Sequence, residues 1–267
     1  MRLLSLKEIQ QRELAMLLLF SRFCKDHGLC CYLCGGTLLG AIRHKGFIPW
    51  DDDVDVMMPR PDYIKLMEIW NTEKEGTSPY KLISDMKGSL LRPFAKLIDT
   101  GTLVRDPYKE IETGLWIDIL PVDGLPDDLG MVRKIYKKNE FYRAILKLSD
   151  CRLGAGKSML RKYAKYLLKP MSQLYGVERC ISRLNRCAQD YPFIQSRFVG
   201  VVSNGLYGAG ERMPKSEFVK EALVTFEGHE FKAPSCWDSY LHGIYGDYMT
   251  LPPVNQRKTH NMTAFEI

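Results

Sequence analysis

The stretch from Leu33 to Pro59, LCGGTLLGAIRHKGFIPWDDDVDVMMP, limits what this chain can fold into more than any other. It joins an apolar strand to a Gly-Gly turn, a short helix and a second apolar strand with alternating aspartates. Successive side chains of a strand point to opposite faces, so Asp53 and Asp55 share one face while Val54 and Val56 pack on the other. Two carboxylates about 7 Å apart on one face repel each other unless a cation sits between them. Oxygen ligation of this kind suits a hard divalent ion, Mg²⁺ first and Mn²⁺ as the alternative, whose shell is completed by water and substrate phosphates. The Gly35-Gly36-Thr37 turn adds bare backbone N–H groups at a helix N-terminus, where an anion is favoured. These features together describe a site for a metal-bound phosphate.

The remaining signals build an α+β chain around that stretch. A capping box, Ser5-Leu-Lys-Glu8, opens a first helix that ends at Gly28. A strand from Leu29 to Leu33 enters the Gly-Gly turn, and a helix from Thr37 to His44 stops near Gly46. Pro59 and Pro61 close the aspartate strand and open a helix whose apolar face is Tyr63, Leu66, Met67 and Trp70. Strands are expected at Tyr80–Ser84, Phe94–Ile98, Leu115–Leu120 and Phe198–Ser203, a hairpin at Thr225–Phe231, and a last helix at Ser235–Tyr245. With 267 residues the chain can bury a full core as one large domain, or as one domain with a helical insertion.

Charge is unevenly spread. Residues 133–186 carry fifteen Lys or Arg against three acids, although the whole chain is only +6. This third reads as helical, with Leu160, Tyr163, Ala164, Leu167 and Leu168 at helical spacing. It is either a solvated face or an attachment surface for anionic lipid or a phosphate-bearing polymer. No apolar run approaches the roughly eighteen residues of a membrane helix, and Lys7, Glu8, Arg12 and Glu13 ahead of Leu14–Phe20 are wrong for a signal peptide. A cytoplasmic protein is expected, with a peripheral contact at the inner face of the membrane through the basic third. The eight cysteines form no disulfide framework, and Cys31 and Cys34 read as packing thiols on a strand rather than a zinc knuckle.

Two decoys fall away. Asp51, Asp53 and Asp55 match the start of an EF-hand loop, but its sixth position is Val56 and its twelfth is Asp62. CRLGAGKS (Cys151 to Ser158) lacks the first glycine and the preceding strand of a P-loop, so a Gly-Lys-Ser turn between helices is the better account. No aromatic-interleaved reader motif occurs, and nucleic acid is not an expected partner.

Asp118, alone among Ile117 and Ile119 in LWIDIL, fits a third carboxylate from a neighbouring strand. Asp51 is a weaker candidate, and Asp123 reads as an N-cap or loop acid. Arg43, His44 and Lys96 are the cations available for phosphate, with Lys96 alternatively a snorkelling edge residue, and His260 in the polar tail QRKTHNM either reaches back over the site or is disordered.

The first stretch resembles the nucleotidyltransferase superfamily, and GGTLLGAIRHKGFIPWDDDVDV resembles its LicD/fukutin-type branch. RPFAKLIDTGT (Arg92 to Thr102), LWIDILPVDGLP (Leu115 to Pro126) and YLHGIYGDYMTLPP (Tyr240 to Pro253) are also similar to LicD. The resemblance implies a nucleotidyltransferase-like mixed sheet flanked by helices, with a catalytic core over 1–130, a basic helical insertion over 131–196 and a completing C-terminal part over 197–267. It implies Asp53, Asp55 and Asp118 as catalytic and metal-holding carboxylates, with Gly35, Gly36, Thr37, Arg43, His44, Lys96, Tyr245 and His260 around the substrate. The implied reaction moves phosphocholine from CDP-choline to a hydroxyl of a teichoic-acid-type glycopolymer, another cell-surface precursor or a lipid-linked oligosaccharide, releasing CMP. Another CDP-alcohol donor and a non-catalytic nucleotide-binding or membrane-surface scaffold are the alternatives. A quaternary ammonium is held by aromatic faces, for which Trp116, Trp237, Tyr240, Tyr245 and Tyr248 are candidates, although helix aromatics are more often core.

Overall fold

The computed structural model describes residues 1–73, 78–87, 92–109, 112–154, 159–257, 259 and 262–267. The chain begins with β1 (Arg2–Leu3), α1 (Leu6–Asp26), β2 (Tyr32–Leu33), α2 (Gly35–His44), β3 (Val54–Pro59) and α3 (Arg60–Glu73). It continues through β4 (Tyr80–Ile83), β5 (Ala95–Asp99), β6 (Thr102–Arg105) and β7 (Trp116–Leu125). Three helices follow, α4 (Leu129–Ser149), α5 (Met159–Tyr175) and α6 (Val177–Ala188). The chain closes with β8 (Phe198–Gly200), β9 (Met213–Pro214), α7 (Lys215–Phe218), β10 (Glu221–Phe226), β11 (His229–Pro234), α8 (Trp237–Tyr245) and β12 (Thr263–Glu266).

The central sheet has strand order β2-β3-β7-β5-β4, with β8 and β9 continuing from the far end of β7. β3 and β7 run parallel and the other neighbours antiparallel, so the sheet is mixed and the chain α+β, as the sequence predicts. Burial alternates with the strand period along β5 and along the first halves of β3 and β7, whose second halves are buried on both faces. Val54, Val56, Met58, Ala95, Leu97, Ile117 and Ile119 turn to one face, each fully buried. Met16, Leu17 and Phe20 of α1 and Tyr63, Leu66 and Trp70 of α3 close over that face in one apolar cluster. The opposite face carries Asp55, Lys96, Trp116 and Asp118, all only partly buried, and it is this face that is left for chemistry.

Local signals place the supporting elements. Ser5 Oγ accepts from the Glu8 N–H while the Ser5 N–H donates to Glu8 Oε2 at 2.8 Å, which starts α1 as the capping box requires. Arg60, at the start of α3, grips Asp123 of β7 with Nε to Oδ1 at 2.7 Å and Nη2 to Oδ2 at 2.6 Å. Asp123 is therefore an interior strand residue of a buried fork pair and not the N-cap or loop acid expected; β7 runs five residues further than LWIDIL suggests.

Other boundaries also move. β2 is two residues long because the Cys30 N–H is taken by Asp62 Oδ2 at 2.8 Å rather than by a strand. α2 already includes Gly35 and Gly36, with Cys34 at its N-cap, and β3 begins at Val54, leaving Asp53 at the strand mouth. The hairpin is β10–β11, longer on both sides than Thr225–Phe231. A second sheet, β1-β12-β6, ties the two chain ends to β6. The Gly-Lys-Ser turn at 156–158 and His260 lie outside the described residues. The eight cysteines are free, and six of them are buried. Among the described residues no helix is long and apolar enough to cross a membrane.

Candidate active site

Three strands set a row of charge across the open face. Parallel register puts Asp55 of β3 beside Asp118 of β7, and antiparallel register puts Lys96 of β5 on the other flank of Asp118. Lys96 Nζ lies 2.7 Å from Asp118 Oδ1, and its ammonium sits 3.9 Å from the centre of the Trp116 ring. Two neighbouring carboxylates thus share one cation, Lys96, which lies against Asp118. Burial, then the fields of Asp53, Asp118 and Asp51, push the Asp55 carboxyl well above the usual carboxylate range, with Lys96 opposing.

The N-terminus of α2 is fitted to these acids. The Asp55 N–H donates to Thr37 Oγ1 at 2.8 Å, so Thr37 braces the strand that carries the carboxylate. A side chain at Gly35 would place its Cβ 3.1 Å from Asp55 Oδ2, in a backbone with φ +52°, and one at Gly36 would come within 2.8 Å of Asp51 Oδ2. The glycines therefore leave room for the site's own carboxylates, where the sequence predicts a bare cradle for phosphate. The Gly35 N–H donates to the Tyr240 hydroxyl at 3.4 Å, which joins α8 to this turn.

A further acid, missed by sequence reasoning, stands behind the loop. Glu13 on α1 is buried, and burial followed by the fields of Asp53, Asp52, Asp51 and Asp118 raises its carboxyl far above the usual range. Among the described residues its Oε2 has no hydrogen-bond partner, while Gln10 one helix turn earlier donates to the Asp51 carbonyl at 2.9 Å. A lone Glu in the apolar register Ile9, Met16, Leu17, Phe20 was the available signal. Among the described residues no three His, Cys, Asp or Glu side chains converge into a ready cluster for a metal. The donor set nonetheless fits a hard ion held on two strand carboxylates and completed by substrate phosphate: Asp55 and Asp118 are adjacent, all-oxygen and short of positive charge.

The Lys96 end of the row lines a cavity of about 750 Å³. Its floor includes Lys96, Ile98 and Trp116, and its far wall is Leu146 and Ser149 of α4, the capping Asp150 that follows them, and Val177 of α6. Arg92, also lining it, pairs with Asp150 at 2.5 Å. The basic helices thus wall the cleft. On the other side, Tyr207 and Tyr245 meet edge to face with centres 5.1 Å apart, and the field of Asp55 acts on both hydroxyls. Gly210 and Gly243 set that meeting: a Cβ on Gly210 would lie 2.0 Å from the Gly243 carbonyl. Tyr207, between Leu206 and Gly208, was not predicted; its only signal is an aromatic in a glycine-rich loop.

Arg43 and His44 are not brought to the row. They sit at the other end of α2, about 12 Å along the helix from Gly35, where Arg43 Nη1 donates to the Tyr248 carbonyl at 2.6 Å. Of the aromatic candidates, Tyr240 and Tyr248 are buried and Trp237 packs on the main core. Tyr245 also packs on the main core and, like Trp116, is only partly buried at the site.

Residues 28–139, which hold β2, α2, β3 and β7, match the family described as LicD/FKTN/FKRP, nucleotidyltransferase domain. The chain is 31% identical over 264 residues to the lipopolysaccharide cholinephosphotransferase LicD of Haemophilus influenzae, covering 98% of each protein. It is 31% identical over 153 residues to an uncharacterized protein of Rickettsia prowazekii, 51% of this chain and 57% of that one. Over 120 residues it is 30% identical to mannosyltransferase regulator 4 of Saccharomyces cerevisiae, 42% of this chain and 10% of that protein. An end-to-end relative at this identity, with the family match lying on the strands that carry the carboxylates, shows that this chain belongs to the LicD family.

Proposed function

We propose that this chain is a phosphotransferase that moves phosphocholine from CDP-choline to a hydroxyl of a cell-surface glycan precursor and releases CMP. The observation that carries the reading is the row Asp55–Asp118–Lys96 on one face of the sheet, whose Lys96 end, with Trp116, lines a cavity large enough for a nucleotide-sized ligand. The end-to-end similarity to a lipopolysaccharide cholinephosphotransferase supplies the group transferred and the kind of acceptor.

The acceptor oxygen attacks the phosphorus that bears choline, the bridging P–O bond breaks, and CMP leaves with the bond's electron pair. The hydroxyl proton passes to a carboxylate of the row. Asp55 and Asp118, with Asp53 at the strand mouth, would hold Mg²⁺ or Mn²⁺. A bound divalent ion supplies positive charge against the diphosphate of donor and leaving group. Lys96 contributes a second positive charge on the same side. The face of Trp116 is already taken by Lys96, so the trimethylammonium is assigned to the Tyr207–Tyr245 pair, where an electron-rich ring face favours a cation. The walls contributed by α4 and α6 leave the acceptor an entrance between the sheet and the basic helices.

Isothermal titration of CDP-choline with Mg²⁺ into wild type, Asp55→Asn and Asp118→Asn checks this. Metal-dependent binding that is lost in both variants is the expected result. Binding of another CDP-alcohol but not CDP-choline would keep the site and replace the head group. A folded protein that binds no CDP-alcohol would turn the reading toward a scaffold.

A further inference from the structure

We propose that α5 is a membrane-surface helix that lays its outward apolar face on an anionic lipid bilayer. In an ordinary surface helix the apolar stripe faces the protein and the polar residues face water. α5 is inverted. Met159, Tyr163, Tyr166, Leu167, Met171 and Leu174 are between 54% and 89% exposed. At 100° per residue they fall within an arc of about 140° on one side of the helix. The inward side carries polar residues: Lys169 and Ser172 are each 5% exposed. Lys169 Nζ donates to the Cys151 carbonyl at 2.9 Å, and Ser172 Oγ donates to the Lys169 carbonyl at 2.7 Å. Six large apolar side chains along one 17-residue helix make a patch of the size that marks an interaction surface.

Charge selects the occupant. α5 rests against α4 and α6. α4 exposes Arg133, Lys134, Lys137, Lys138 and Lys147, while α6 exposes Arg179, Arg183 and Arg186. A second copy seated on α5 would bring two strongly cationic regions together. A surface of anionic lipid instead accepts the apolar face and neutralises its cationic surroundings, the arrangement of a helix lying in the plane of the membrane. α5 is not apolar enough to span it. The inference does not depend on the transfer chemistry, because binding to lipid is read without turnover.

Flotation of the full-length protein with phosphatidylglycerol vesicles and with neutral phosphatidylcholine vesicles is the experiment. The comparison is with Leu167→Gln/Met171→Gln/Leu174→Gln, three positions that are solvent-exposed and so removable without opening the core. Wild type should float with the anionic vesicles, less with neutral ones, and less as salt rises. The triple variant should partition at least about tenfold more weakly with an unchanged circular dichroism spectrum. Wild type that ignores phosphatidylglycerol overturns the proposal, as does a variant that binds equally well. A wild-type dimer abolished in the variant, without vesicle binding, would assign the face to a second copy and overturn it too.

Discussion

Lys96 is the residue on which the charge balance of the site turns. It lies between Asp118 and Trp116, with Asp55 one strand further on, and no other cation is in register on these three strands. Its own burial pulls the ammonium pKa down, and Asp118 holds it partly up, so the pair persists only while both members are present. Lys96→Met would leave Asp118 and Asp55 facing each other without compensation. Turnover of CDP-choline should fall about 100-fold, the scale on which a preorganised charge in a reacting site acts. The measurement is the steady-state rate of CMP release, with folding checked by circular dichroism. An unchanged rate would make Lys96 a purely structural partner of Asp118.

At the scale of elements, the buried fork between Arg60 of α3 and Asp123 of β7 fixes a helix to the back of the strand that carries Asp118. Asp123→Ala strands a guanidinium that is 8% exposed and should cost about 3–5 kcal/mol, whereas Arg60→Met with Asp123→Leu should recover most of it. Urea unfolding of the three proteins reads the difference directly. The same pair shows where a sequence stops being informative. Alternation of Val54, Asp55 and Val56 and of Ile117, Asp118 and Ile119 fixes which side chains share a face, so both acids of the row are legible without coordinates. Their adjacency depends on β3 and β7 pairing across the 56 intervening residues 60–115, which no local pattern specifies, and the resemblance to a family carries it instead. Asp123 looks like a turn acid because Pro121 and Gly124 suggest the strand has ended; only the partner Arg60, 63 positions away, shows that it has not. Glu13 and Tyr207 are silent for the same reason: one hides in a helix pattern and the other in a loop, and both gain meaning from neighbours distant in the chain.

Across the whole molecule, Glu211 sits where α4 meets the turn Gly208–Glu211. It is 4% exposed, near Arg143 of α4, and its Oε1 accepts from the Tyr207 N–H at 3.0 Å. Burial pushes its carboxyl from an ordinary 4.5 up to about 8, against the opposing pull of the Tyr207 N–H and Arg143. The folded protein therefore holds a proton that the unfolded chain has already released between about pH 5 and pH 8. Where the native state binds more protons than the unfolded one, stability falls as pH rises. The loss from this group starts near the unfolded value and is complete once pH passes the folded one. Glu211→Gln keeps an oxygen for the Tyr207 N–H and has no proton to lose. Its stability relative to wild type should therefore grow across that window, by at most about 1.4 kcal/mol per pH unit, and level off above pH 8. Asp55 and Glu13 also carry raised values and add slope of the same sign, but they do so in both proteins, so the difference isolates Glu211. Urea midpoints taken from pH 5 to pH 9 give the curve. Parallel profiles for the two proteins would mean that Glu211 is ionised in the fold. The junction between α4 and the Tyr207 loop would then be held by a buried ion pair rather than by a neutral acid.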